Sequence, residues 1–125
     1  NPPFYENEKE SITHGEKLEK HSLKLTLETL IQKIKKLLHS NGKFAILLPY
    51  FRAMEFENKC NTNQLYIEKK LLIKQTPTHT YFRVCFIVSL LKTKEIQLDT
   101  LTIKDINNKY TPSFIMLLKP YYLNL

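Results

Sequence analysis

From residue 27 the chain places Leu27, Leu30, Ile31, Ile34, Leu37 and Leu38 at the spacing of an amphipathic helix, with Lys33, Lys35 and Lys36 on its wet side. Asn41-Gly42 follows and predicts a left-handed helix stop. Phe44-Ala45-Ile46-Leu47-Leu48 is then a continuous apolar run closed by Pro49. A run of that kind after a helix and a tight turn predicts a buried, parallel strand. Helix, turn and strand make one α/β step.

Residues 52–64 predict a weaker helix with Ala53, Phe56 and Cys60 on one side. Leu65 to Ile73 alternates in part and predicts a strand, followed by a turn at Pro77. Tyr81 to Leu91, rich in β-branched and aromatic residues, carries the strongest strand signal. The short link between these two strands predicts antiparallel pairing. Ile96 to Ile103 adds a further short strand or hairpin, and Thr111-Pro112 opens a helix that runs through Ile115 to Leu118. Residues 5–22 are polar and charged, and predict a flexible loop that turns helical toward Lys17. The strand at 44–48 has no parallel neighbour upstream, and the chain opens on Asn1-Pro2-Pro3 with no initiator methionine. Both features lead us to expect that an N-terminal part of the sheet is missing.

With 125 residues, 42% of them hydrophobic, the chain suits one domain with a modest core. Its two glycines, Gly15 and Gly42, stand too far apart to build a phosphate-cradling loop, which excludes a Walker A or dinucleotide fingerprint. Cys60 and Cys85 lack zinc spacing, as do His14, His21, His39 and His79, so no metal is expected. No signal peptide and no apolar run of membrane-spanning length is present, which predicts a soluble, cytoplasmic protein without a membrane partner.

The formal charge is +7, and its distribution matters more than its size. Residues 1–43 carry eight Lys against six Glu, whereas residues 59–94 carry six Lys and Arg83 against Glu68 alone. That local excess, Lys69, Lys70 and Arg83 included, suits contact with phosphates through counterion release. It equally suits lysines that keep a sheet edge from adding strands.

Asn1-Pro2-Pro3-Phe4 is the sharpest local feature. Consecutive prolines fix an extended turn. The same triplet also suits a cradle for a planar amino group, because an Asn side-chain oxygen and a carbonyl beside proline each accept one N–H. Holding both protons turns the nitrogen lone pair out of conjugation, and an aromatic at the next position stacks on the acceptor plane.

These four residues resemble the Asn/Asp-Pro-Pro-aromatic motif of class I S-adenosylmethionine-dependent amino methyltransferases, a motif shared by DNA, RNA and glutamine-side-chain enzymes. Lys20-His21-Ser22 followed by Leu25-Thr26-Leu27-Glu28-Thr29-Leu30 resembles the A-R-H-E and L-x-L-x-x-L stretch of bacterial valine tRNA (adenine-37-N6)-methyltransferases, with Lys20 for Arg and Ser22 for Glu. Gly42 to Pro49 is similar to that family's G-x-x-x-x-(V/I)-L-P strand, and Arg83 falls where it has a basic residue opening a long strand. The tail Tyr110-Thr111-x-x-Phe114-x-x-Leu117-x-x-x-Tyr121-Tyr122-Leu123 is the most specific match.

The resemblance implies an α/β fold, the C-terminal half of a Rossmann-like methyltransferase sheet whose fifth, sixth and seventh strands are 44–48, 65–73 and 81–91, in the order 5-7-6. Residues 1–125 would be the substrate-side portion of one domain, and S-adenosyl-L-methionine would be bound mainly upstream of Asn1. It implies methyl transfer to adenine N6 in a tRNA anticodon loop, with Asn1 and Pro2 accepting the amino protons and Phe4 stacking on the base. Pro3, Lys20, His21, Lys69, Lys70 and Arg83 would touch substrate, and the chain alone would be inactive. The rival readings are a DNA adenine or protein glutamine methyltransferase, and a non-catalytic basic RNA-binding module. An exposed sheet edge would favour self-association of the fragment, and Tyr121 and Tyr122 are expected to pack the end of the chain onto the sheet.

Overall fold

The computed structural model describes residues 26–122. Its first helix, α1 (Leu27–Leu37), starts where the Thr26 side-chain oxygen accepts the Thr29 backbone N–H at 3.0 Å. That cap satisfies one of the donors a helix start leaves open. Glu28 in the first turn and Lys35 and Lys36 in the last complement the helix dipole. Leu27 and Ile31 carry the stripe into the core, while Leu37 is exposed.

The expected left-handed stop is absent. Leu38 leaves the helix in an extended conformation, and Gly42 has no positive φ. Glycine is instead required by close approach: a Cβ at residue 42 would stand 2.9 Å from Leu38 Cδ1 and 3.0 Å from the His39 carbonyl. The left-handed stop belongs to the second helix, α2 (Ala53–Thr62). There Gln64 takes φ 57°, and the Leu65 N–H returns to the Cys60 carbonyl at 2.9 Å. Ala53, Phe56 and Cys60 form the buried face of α2, at the spacing the sequence predicts.

Four strands follow from the apolar runs: β1 (Lys43–Pro49), β2 (Tyr66–Lys74), β3 (Tyr81–Ser89) and β4 (Gln97–Thr102). They lie in the order β1-β3-β2-β4. The short β2–β3 link gives antiparallel pairing, as its length requires. β1 also pairs antiparallel with β3, so β1 and β2 run in the same direction on either side of it. β4 is a strand but no hairpin: it crosses to the free side of β2 and runs parallel to it.

One face of the sheet, with Ile46, Leu48, Val84, Phe86, Val88 and Leu72, packs against α1 and α2. Phe56 of α2 meets Phe86 at its centre, with ring centroids 4.9 Å apart. A last helix, α3 (Pro112–Leu118), is capped by the Thr111 side-chain oxygen and begins with proline. Its start is tied to β4 by the Thr111 hydroxyl, which donates to the Thr102 carbonyl at 2.6 Å. No residue of α3 is buried, and Tyr121 and Tyr122 beyond it are exposed, so they do not pack on the sheet as expected.

Candidate nucleic-acid interface

β1 ends at Pro49 because proline has no N–H to continue the ladder. The chain then makes one tight 3-10 turn, Tyr50–Arg52, and enters α2. The β1–β3 register sets Pro49 opposite Arg83, so the turn lies beside the first residues of β3. Pro49, Tyr50, Phe51, Tyr81, Phe82 and Arg83 line a cleft of about 440 Å³ at this carboxyl end of β1.

The Tyr50 and Tyr81 rings lie 5.6 Å apart, inclined at 54°. Phe51 is 82% exposed and Phe82 43% exposed, which is unusual for two phenylalanines flanking one cleft. Arg83 is half-buried and makes no ion pair among the described residues. Arg52 beneath the turn is buried and grips Glu55, with Nη2 to Oε2 at 2.9 Å and Nε to the same oxygen at 3.0 Å. An aromatic wall with a cation at its rim can stack a planar base and hold the adjoining phosphate.

The predicted site residues separate. Asn1, Pro2, Pro3, Phe4, Lys20 and His21, together with the 5–22 loop, lie outside the described residues. Lys69 and Lys70 are neighbours on β2 and therefore point to opposite faces. Lys70 turns to the α2 side, where it pairs with Glu57 and stands 5.8 Å from the Phe86 ring centroid. Lys69 is exposed on the other face. Arg83 pairs across from Ile73, four positions along β2 from Lys69, and so belongs to the cleft rather than to the lysine pair.

The basic excess over 59–94 is also smaller in space than along the chain. Lys59 pairs with Glu28 at 3.0 Å and Lys70 with Glu57, both partners lying outside that segment. Cys60 is a core residue, its thiol pushed up to about 12 chiefly by burial. Among the described residues no group of three His, Cys, Asp or Glu could hold a metal ion, and no helix is long and apolar enough to cross a membrane.

Tyr50, Phe51, Tyr81 and Phe82 are not singled out by the sequence pattern. The available signal is Pro49-Tyr50-Phe51-Arg52, two aromatics and an arginine directly after a buried strand. Aromatics at strand ends are otherwise absorbed into the strand reading, and only the register brings 49–51 and 81–83 together.

This chain is 34% identical over 123 residues to a tRNA1(Val) (adenine(37)-N6)-methyltransferase of Trichodesmium erythraeum, covering 98% of the chain and 51% of that protein. Proteins of the same name from Flavobacterium psychrophilum and Aliivibrio fischeri strain MJ11 are each 30% identical over 125 residues, with 53% of each protein covered. The chain is homologous to these methyltransferases along its length. It spans about half the length of the curated relatives it matches. No family model matches it.

The fold agrees. The crystal structure of a predicted O-methyltransferase from Agrobacterium tumefaciens superposes with a TM-score of 0.57 at 18% identity, over 79% of this chain and 50% of that one. The mixed α/β unit is consistent with the C-terminal half of a class I methyltransferase, and the order β1-β3-β2 matches the expected 5-7-6.

Proposed function

We propose that this chain is the acceptor-side part of an S-adenosylmethionine-dependent methyltransferase that modifies adenine N6 in the anticodon loop of a tRNA. The observation that carries the reading is the aromatic cleft with Arg83 at its rim, placed at the carboxyl end of β1. In open α/β sheets ligands enter at the carboxyl ends of the strands. The names of the homologues supply the substrate class.

In this reading Phe51 and Tyr50 offer ring faces to the bases of an unpaired loop, and Arg83 holds a phosphate beside them. Asn1 and Pro2 accept the two amino protons of the adenine, and Phe4 stacks on its ring. Pro3, Lys20 and His21 lie near the substrate, while Lys69 adds positive charge on the open face. When bound, S-adenosylmethionine supplies the methyl group. The described residues do not fit a cradle for it: their one glycine, Gly42, precedes β1 at the end of the strand opposite the cleft. What these residues do is bind and orient the acceptor.

The test uses the product of the whole gene with valine tRNA transcript and S-adenosylmethionine, followed by mass spectrometry of the anticodon loop. The expected product is N6-methyladenine in the loop, lost when that adenine is replaced by guanine. Methylation of DNA adenine or of a glutamine peptide, with tRNA left unmodified, would overturn the reading.

A further inference from the structure

The carboxyl ends of β1, β2 and β4 fall at one end of the sheet, together with the start of β3. Arg83 lies opposite Ile73, and Lys74 lies opposite Thr102. The ladder continues past β4, where the Ile103 N–H donates to the Lys74 carbonyl at 3.0 Å and the Lys104 N–H to the Gln75 carbonyl at 2.9 Å. Lys104 is thereby held two strand spacings across the sheet from Arg83 and three residues farther along it, about 14 Å away by ordinary sheet geometry.

After Lys104 the chain turns back through a loop with its own internal framework. Asp105 Oδ1 accepts the backbone N–H groups of Asn107 and Lys109 at 2.8 and 2.9 Å, and Asn108 takes a left-handed φ of 61°. Tyr110 then bridges back to Lys104. The Lys104 ammonium donates to Asn108 Oδ1 at 3.0 Å and stands 5.5 Å from the Tyr110 ring centroid. Tyr110 stacks on Phe114, with centroids 5.0 Å apart and planes at 23°. Asp105, the acidic residue of this loop, is committed to backbone donors, so Lys104 and Lys109 set the outward charge.

We propose that the Lys104–Tyr110 loop is a second RNA contact, holding the phosphate backbone of the same tRNA whose loop enters the cleft beside Arg83. The proposal rests on the function proposed above. Lys74 lies between the two positions in the ladder, its ammonium donating to the Pro77 carbonyl of the β2–β3 link at 3.1 Å. A small ligand does not reach both; an extended polyanion does. Contacts of this kind fix orientation and carry no sequence information, which suits a loop outside the cleft. The internal bonds of the loop hold its lysines in place before RNA arrives, which lowers the ordering cost of binding.

The test uses the whole gene product and a labelled anticodon stem-loop RNA, with Kd measured across a salt series. Lys109→Gln is expected to raise Kd roughly three- to tenfold and to reduce the slope of log K against log salt by about 0.7 to 0.9. Lys104→Gln/Lys109→Gln is expected to reduce the slope by about twice as much. Lys94→Gln, beside Tyr66 and Ile67 at the opposite end of β2, is expected to leave both quantities at parental values. Because the Lys109 side chain makes no bond within the loop, its variant reports RNA contact without loosening the fold. A parent that methylates the RNA, with loop variants that keep its Kd and slope, overturns this proposal and leaves the proposed function standing. A Lys94 variant as impaired as the loop variants also overturns it, since binding would then be spread over the whole surface. A parent that binds RNA normally but modifies no adenine overturns the proposed function instead.

Discussion

Tyr50 and Tyr81 meet at 5.6 Å across the carboxyl end of β1, one from the turn after the strand and the other from the first residue of β3. Their tilted packing fixes the wall of the cleft, and Tyr81 also packs against the core. Phe51, the next residue along, contributes to the same cleft yet remains 82% exposed. The wall is therefore anchored by the tyrosine pair, and its most exposed ring is Phe51.

Phe51→Ala is accordingly expected to separate binding from stability. An exposed side chain changes stability by no more than about 0.5 kcal/mol. Loss of one stacked base costs about 1 to 3 kcal/mol of RNA affinity. Thermal melting and RNA titration of the whole gene product check both numbers; a lowered melting temperature with unchanged affinity would assign Phe51 to packing.

Phe86 lies at the other extreme, fully buried in the central strand β3 against Phe56. Phe86→Ala is expected to cost about 3 to 5 kcal/mol, from lost transfer energy, a cavity and the broken ring pair. Phe86→Leu keeps most of the apolar area and is expected to cost clearly less. Urea unfolding measures the difference, and equal losses would show that the ring pair, rather than volume, governs this site.

The contrast between these two phenylalanines also shows what the linear pattern can reveal. Leu27 with Ile31, and Ala53 with Phe56 and Cys60, were legible because helix burial follows local spacing. The antiparallel β2–β3 pairing was legible because a short link permits nothing else. The passage of β4 across β2 was not, since it depends on which strand edge remains available after folding. The cleft was hidden for the same reason, as Pro49 and Arg83 become neighbours through register alone. Charge misled in one respect: Lys59 and Lys70 counted toward a basic segment, although Glu28 and Glu57 neutralise them from elsewhere in the chain.

Burial decides the chemistry of the two thiols. Cys60 is fully buried on α2 and its pKa is pushed up to about 12, while burial also raises that of the half-buried Cys85. Both stay in the poorly nucleophilic thiol form near neutral pH. Ellman's reagent at about pH 8 is expected to leave Cys60 unmodified in the native protein and to react with it promptly in denaturant. Fast native labelling of Cys60, located by peptide mass spectrometry, would show that α2 opens readily from the sheet.

Glu68 gives the fold a pH dependence whose sign follows from its partners. It sits at the irregularity in β2, where Lys43 from the start of β1 donates to its carboxylate. That hydrogen bond, followed by one from Ser89, lowers its pKa below the ordinary value of 4.5. A carboxyl whose folded pKa is depressed contributes stability that is fully present above the unfolded pKa, and loses it as pH falls through the folded one. Glu68→Gln is therefore expected to be less stable than the parent near pH 7, with the gap closing below about pH 4. The Lys43 side chain is 54% exposed, so about 1 M salt is expected to narrow the gap at neutral pH as well. Urea midpoints across pH and salt measure this. A gap that stays constant from neutral to acid pH would mean that the carboxylate acts through shape and hydrogen bonding, and that its charge contributes nothing to joining Lys43, the first residue of β1, to β2.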